Sequence, residues 1–244
     1  MNNMFENIST EGAEEQQDRL GGSFTIDTGL YDGVIKLAYV LPASKSSSKC
    51  IVTVIDYGGK EITDRTWIFN KKGEAMYEKN GKKFMLPGYE LINDLCLVAT
   101  GYNLKEQKVE DKVIKVYDPE SKKEVDKNMP VITSILGKTI SAAVLKVIEN
   151  KQEKVGDDYV DTNEKRELNQ TDKFFHTPTK KTVVELTKKL DIPVADLFYT
   201  KWGEKNSGVT RDNFKSVAGA VNGALQSGSG APTSSAKKST NLFG

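Results

Sequence analysis

The chain has 244 residues, enough for one large domain or two small ones. Its 37% hydrophobic and 28% charged content suits a soluble globular protein with polar appendages, and no apolar run approaches the ~18 residues of a membrane-spanning helix. Lys and Arg total 35 against 34 Asp and Glu, a net charge of +1, so bulk charge neither demands nor excludes a polyanionic partner and local patches decide.

Residues 1–22 are polar and acidic, with Glu6, Glu11, Glu14, Glu15 and Asp18 set against Arg19 alone. They carry too little apolar surface to offset the entropy of ordering, and a flexible acidic arm is expected. The start lacks the cationic and apolar regions of a signal peptide, so a cytoplasmic location is expected. From Ser23 the pattern changes: Phe24–Ile26 and Val34–Val40 read as strands flanking a turn at Thr28–Gly33. The second run ends at Pro42, and Ala43–Ser48 reads as a flexible connection.

Lys49–Asn70 is the most informative stretch. β-Branched and aromatic residues dominate two arms, Lys49–Tyr57 and Glu61–Asn70, with Gly58-Gly59-Lys60 at the bend, the pattern of a β-hairpin. A three-residue loop pairs Tyr57 with Glu61 and Thr53 with Arg65, and gathers Lys49, Tyr57, Arg65, Trp67 and Phe69 on one side of the ribbon. A two-residue loop places Trp67 beside Cys50, Val52 and Val54 instead, because a slip of one residue turns every side chain to the other face. Both registers are compatible with the sequence, and Trp67 and Phe69 are read either as stacking platforms or as core.

Lys71-Lys72-Gly73 then forms a basic turn, and Ala75–Met85 a second hairpin about Asn80-Gly81, among the strongest short turn signals. Tyr89–Ala99 reads as a helix, with Leu91, Ile92, Leu95 and Val98 at helical spacing and Gly101 as its stop. Residues 102–128 are dense in Lys and Glu and read as a long solvated hairpin or arm about Asp118-Pro119. Met129–Leu136 is expected as a short helix, Thr139–Glu149 as a strand, and Lys151–Leu168 as a charged hairpin. Phe174-Phe175-His176 is an aromatic knot, Thr182–Leu190 an amphipathic helix, and Val194–Trp202 packs behind it. From residue 204 the chain turns Gly- and Ser-rich, and 204–244 is expected as a flexible tail, leaving 23–203 as the folded domain with its charged arm at about 102–128.

The residues argue against catalysis. His176 is the single histidine, which excludes two-histidine metal sites and helical zinc-protease motifs. Cys50 and Cys96 lie in apolar runs and read as buried, reduced thiols. Gly137-Lys138-Thr139 copies the end of a phosphate-binding loop, but Ile132 stands where its first glycine belongs. No enzyme activity, cofactor or metal is expected. A binder of single strands needs cations for phosphates and aromatic faces for bases. The candidates are Lys36, Lys49, Arg65, Lys71, Lys72, Lys82 and Lys83 for phosphates, and Tyr39, Tyr57, Trp67, Phe69, Tyr77 and Phe84 for bases.

Leu86-Pro87-Gly88-Tyr89 running into Leu91–Leu97, Met129–Ile132 leading to Leu136-Gly137-Lys138, and Glu164–Asn169 before Phe174-Phe175-His176 resemble segments of the single-stranded DNA-binding proteins of tailed bacteriophages. The resemblance spans roughly residues 22–188. It implies a mainly β fold, an OB-like Greek-key β-barrel elaborated with hairpins and a few packing helices between disordered termini. It further implies single-stranded DNA as partner in phage replication and recombination, contact with other proteins of those processes, the host cytoplasm as location, and no cofactor. The end of the chain departs from the pattern. Many such proteins finish in an acidic tail with a terminal aromatic, whereas this chain ends Leu242-Phe243-Gly244 after Lys237-Lys238. The alternative reading is a phage structural or protein-interaction module of β architecture.

Overall fold

A computed structural model describes residues 25–217, apart from 44–45, 119–120, 122, 157 and 190. The acidic arm, the tail from 218 and part of the Ala43–Ser48 connection therefore lie outside the described residues. The fold is mainly β. Its axis is β1 (Gly29–Pro42), one strand where the sequence suggested a turn followed by a strand. One edge of β1 pairs antiparallel with β2 (Lys49–Asp56), which pairs with β3 (Glu61–Phe69). Along the other edge, Gly29–Val34 pairs with β8 (Thr139–Val155), and Tyr39 bridges Val131 of β7 (Lys123–Ile132). β8 continues into β9 (Asp158–Phe175) as a long hairpin, and β7 pairs with β6 (Val109–Asp118) as the charged arm expected from composition.

The expected turn at Thr28–Gly33 fails because its glycines serve packing. A Cβ on Gly33 would stand 2.6 Å from the Tyr57 ring, so the missing side chain lets the ring lie flat against an extended strand. Ile26, placed in a strand by its neighbours, is not in one. Its N–H and carbonyl are instead both bonded by the Asn169 side-chain amide, each at 2.8 Å, so that a side chain takes the place of a partner strand.

The helix expected at Tyr89–Ala99 is α1 (Pro87–Thr100), closed by Gly101 at φ 82°. It buries Ile92, Leu95, Cys96 and Val98 against Ile35, Ile51, Ile55, Ile68 and Phe174 of the sheet, which together make the main core. The short helix expected at Met129–Leu136 is instead the end of β7 followed by a 3-10 turn at Thr133–Ile135. Strand geometry wins there because alternate residues Met129 and Val131 both enter an apolar cluster with Tyr39, Cys50, Val52 and Val116. That second cluster is the arm folded over the outer face of β1 and β2. A third core joins Ala143, Leu145, Val147 and Phe175 to Trp202 of α3 (Phe198–Asn206).

The amphipathic helix expected at Thr182–Leu190 is shorter, α2 (Val183–Thr187), with Lys189 at φ 49° beyond it. Buried Glu185 explains its place. Its carboxylate accepts the Thr182 N–H at 2.8 Å and the Phe198 N–H at 2.9 Å, linking α2 to α3. Past Gly203 the described chain continues through α3 and pairs β10 (Arg211–Asp212) parallel to β8. Among the described residues no ladder joins β3 to β9, and the sheet stays open.

Candidate nucleic-acid interface

The register of the β2–β3 hairpin decides which candidates share a surface. Gly58 and Gly59 have φ of 67° and 94°, the Tyr57 N–H donates to the Lys60 carbonyl at 2.9 Å, and Asp56 accepts the Gly59 N–H at 2.6 Å. Two successive positive φ values are the geometry of a two-residue hairpin turn whose twist suits the flanking strands. The two-residue register therefore holds: Cys50 lies opposite Trp67 and Val52 opposite Arg65. Trp67 is 53% exposed, and Arg65 is exposed beside it. Burial pushes the Tyr39 hydroxyl and the Cys50 thiol up while the Arg65 charge opposes it at both, as expected for three groups on one side of the sheet.

The other candidates on this ribbon separate. Tyr57 is buried in the main core, where burial and then the charge of Asp64 raise its hydroxyl far above the ordinary range. Tyr39 is buried under the arm. Neither offers a ring face to a base. A bulge between Lys49 and Cys50 turns Phe69 toward the main core, with the Lys49 ammonium 5.9 Å from its ring centre. Lys36 is exposed and pairs with Asp56 at 3.5 Å.

Trp67 and Arg65 border a groove of about 400 Å³ between β3, the start of α1 and β9. Thr66, Gly88, Gln170, Thr171 and Asp172 complete its walls. The groove exists because the two sheet edges stop short of pairing and are tied by a side chain, Asp64, which accepts the Thr171 N–H at 2.8 Å. Burial raises the Asp64 carboxyl, and the Thr171 hydrogen bonds only partly offset it. A Cβ on Gly88 would stand 2.1 Å from the Trp67 carbonyl oxygen, so only glycine lets α1 begin against this strand.

A second groove, of about 680 Å³, lies between the basic turn and the next hairpin and is lined by Asn70, Lys71, Lys72, Glu74, Tyr77 and Lys83 among others. Asn70 builds the turn, its side-chain oxygen accepting the Lys72 and Glu74 N–H groups at 2.9 and 3.0 Å. The hairpin, β4 (Met76–Lys79) and β5 (Lys82–Met85), turns at Asn80-Gly81 with φ of 54° and 70°. Tyr77 and Phe84 face each other across it with ring centres 5.7 Å apart. Both are exposed, as are Lys71, Lys72, Lys82 and Lys83. Trp67, Arg65, Tyr77, Phe84 and these four lysines are thus the candidates held accessible on β3 and the hairpin that follows it. Sequence reasoning did not find the β3–β9 groove, whose far wall comes from residues over a hundred positions away. Pro87-Gly88 was its one local sign.

A Ser–Lys–Asp cluster lies elsewhere. Lys180 donates to both Asp32 oxygens at 2.5 and 2.7 Å and to the Ser141 hydroxyl at 2.9 Å, and Ser141 also bonds Asp32. Burial pushes the Asp32 carboxyl up, but the bonds from Lys180 and Ser141 outweigh it and hold it below the ordinary range. Ser141 has no exposed surface, so this is a latch between strand and loop rather than a reachable nucleophile. His176 is taken up locally, its Nδ1 2.9 Å from the Thr179 hydroxyl. Both cysteines are buried, and burial pushes the Cys96 thiol up to about 12. Among the described residues no cluster of three or more His, Cys, Asp or Glu is placed to hold a metal, and no helix is long and apolar enough to cross a membrane. No protein-family model matches the chain, and no curated protein matches it at a significant level.

Proposed function

We propose that this chain binds and protects single-stranded DNA without catalysis, stacking bases on aromatic rings and neutralising phosphates with flanking cations. The observation that carries the reading is exposed Trp67 beside Arg65, opening onto the β3–β9 groove and followed in the chain by an exposed Tyr77–Phe84 stack among lysines. A ring with a free face accepts any base, and a cation beside it meets the backbone that tracks past. The strand order supports an OB-like reading in which β9-β8-β1-β2-β3 forms the barrel wall, α1 follows the third strand, and Asp64–Thr171 spans the remaining gap. In that architecture the outer face of the second and third strands carries oligonucleotides. The phage resemblance extends the proposal to replication and recombination in the host cytoplasm, with proteins of those processes as partners and no cofactor.

Intrinsic fluorescence tests it directly. Trp202 is buried but donates its indole N–H at 2.7 Å to Asp172 of the groove wall, so the quenching that Trp67→Ala removes is the part that reports Trp67. Titration with an unstructured single strand and with its duplex, at two salt concentrations, is expected to give quenching by the single strand that weakens with salt. A folded protein that binds neither sinks the proposal and leaves the protein-interaction module as the reading to pursue.

A further inference from the structure

The charged arm has a free edge. Among the described residues β6 pairs only with β7. Its phase is set at the base of the arm, where the Thr133 N–H donates to the Lys108 carbonyl at 2.9 Å. The register from Val109–Ile132 to Asp118–Lys123 runs without a bulge. Even-numbered residues of β6 therefore turn their backbone groups to β7, and Val109, Asp111, Val113, Lys115 and Tyr117 turn theirs to the open side. The side chains of these same residues form the outward face, where Val109, Val113 and Tyr117 are 49%, 70% and 53% exposed. A long free edge with apolar residues on its face is what natural sheets normally cover or break.

The pattern along this edge is self-complementary. Turned end for end about Val113, it sets Val113 against Val113, Val109 against Tyr117, and Asp111 against Lys115, the last two pairs occurring twice by symmetry. We propose that β6 pairs antiparallel with β6 of a second copy of this chain, centred on Val113, to form a two-fold dimer through one continuous sheet. Facing residues then exchange paired N–H···O=C bonds, with apolar contacts at the centre and ends and opposite charges between them. The inference does not depend on the DNA-binding reading, since neither groove described above uses β6.

Sedimentation equilibrium of the full chain tests it. The wild type is expected to show a concentration-dependent monomer–dimer equilibrium. Val113→Pro removes an N–H that β7 does not use, and is expected to abolish the dimer while far-UV circular dichroism stays unchanged. Asp111→Lys or Lys115→Asp alone sets like charges opposite at two places and is expected to weaken dimerisation about tenfold. Together the two swaps restore opposite pairing between copies, although Asp126 faces position 115 within the arm, and are expected to recover most of the loss. A wild type that stays monomeric at its highest soluble concentration overturns the proposal. So does a dimer that is indifferent to Val113→Pro, or charge swaps whose effects simply add.

Discussion

Trp67 and Tyr57 belong to one hairpin and have opposite surroundings, one ring open to solvent and the other enclosed against Gly33. Trp67→Ala is expected to weaken oligonucleotide binding by about 1–3 kcal/mol, roughly fivefold to 150-fold, with a melting temperature within about 2 °C of the wild type. Tyr57→Ala is expected to cost about 3–5 kcal/mol of stability instead, through the cavity it leaves. Anisotropy titration and thermal melts of the two variants separate these outcomes, and equal effects on both measurements would refute the assignment of faces. Asp64 gives a pH signature. Its carboxyl is raised by burial, so the folded state holds the proton more tightly than the unfolded one. The stability it contributes is present below its unfolded value, about pH 4, and is lost as pH rises through the folded value. Asp64→Asn removes that loss, so urea midpoints of variant and wild type should diverge in the variant's favour as pH rises from about 4. Parallel curves would show that Asp64 is not under strain.

Elements here are positioned by small residues at their ends. Gly58 and Gly59 carry the positive φ values that make the two-residue turn. This turn puts Trp67 on the face of Cys50 and Val52, away from Tyr57, while the bulge beside Lys49 turns Phe69 off that face. Gly88 sets where α1 starts. Gly88→Ala drives a methyl group into the Trp67 carbonyl, and α1 or β3 must move. A loss of about 1–3 kcal/mol in urea unfolding is expected, together with a shift in Trp67 emission as the groove deforms. An unchanged midpoint and spectrum would mean that the helix start adjusts freely. The β4–β5 hairpin stands apart as its own two-stranded sheet, and its Tyr77–Phe84 pair is a cross-strand contact that stiffens an exposed ribbon.

The described residues form one large sheet whose long strand β1 is paired along both edges, with α1 packed into the main core, the arm into the second cluster and α3 into the third. The near-neutral net charge is divided so that Lys71, Lys72, Lys82 and Lys83 concentrate around one groove and hairpin. Steering by such a patch is salt-sensitive. For a single strand, log affinity is expected to fall against log salt with a slope of about 0.7 per phosphate neutralised. Lys82→Ala and Lys83→Ala are each expected to lower that slope by about 0.7, uniformly across oligonucleotide sequences, in anisotropy titrations over a salt series. An unchanged slope would remove the hairpin from the interface.

Much of this was legible in residue order, because strand and helix periodicity and turn chemistry are local. The Asn80-Gly81 hairpin, the helix ending at Gly101, the charged arm and the strand from Thr139 all form where their patterns place them. The Gly-Gly pair carried the register too, although sequence alone left two loop lengths open. What needed the tertiary structure were contacts between distant segments. Gly33 reads as a turn until Tyr57 lies on it, and Met129–Ile132 reads as a helix until Tyr39 and Val52 supply a cluster for alternate side chains. The groove beside Trp67 is the clearest case. Asp64 and Thr171 meet only because β1 carries β2 and β3 on one edge and β8 and β9 on the other, bringing the two ends of the sheet face to face. Local propensity decided most of the elements, and burial against remote partners overrode it at Gly33 and Met129–Ile132 and decided which side chains are left for a ligand.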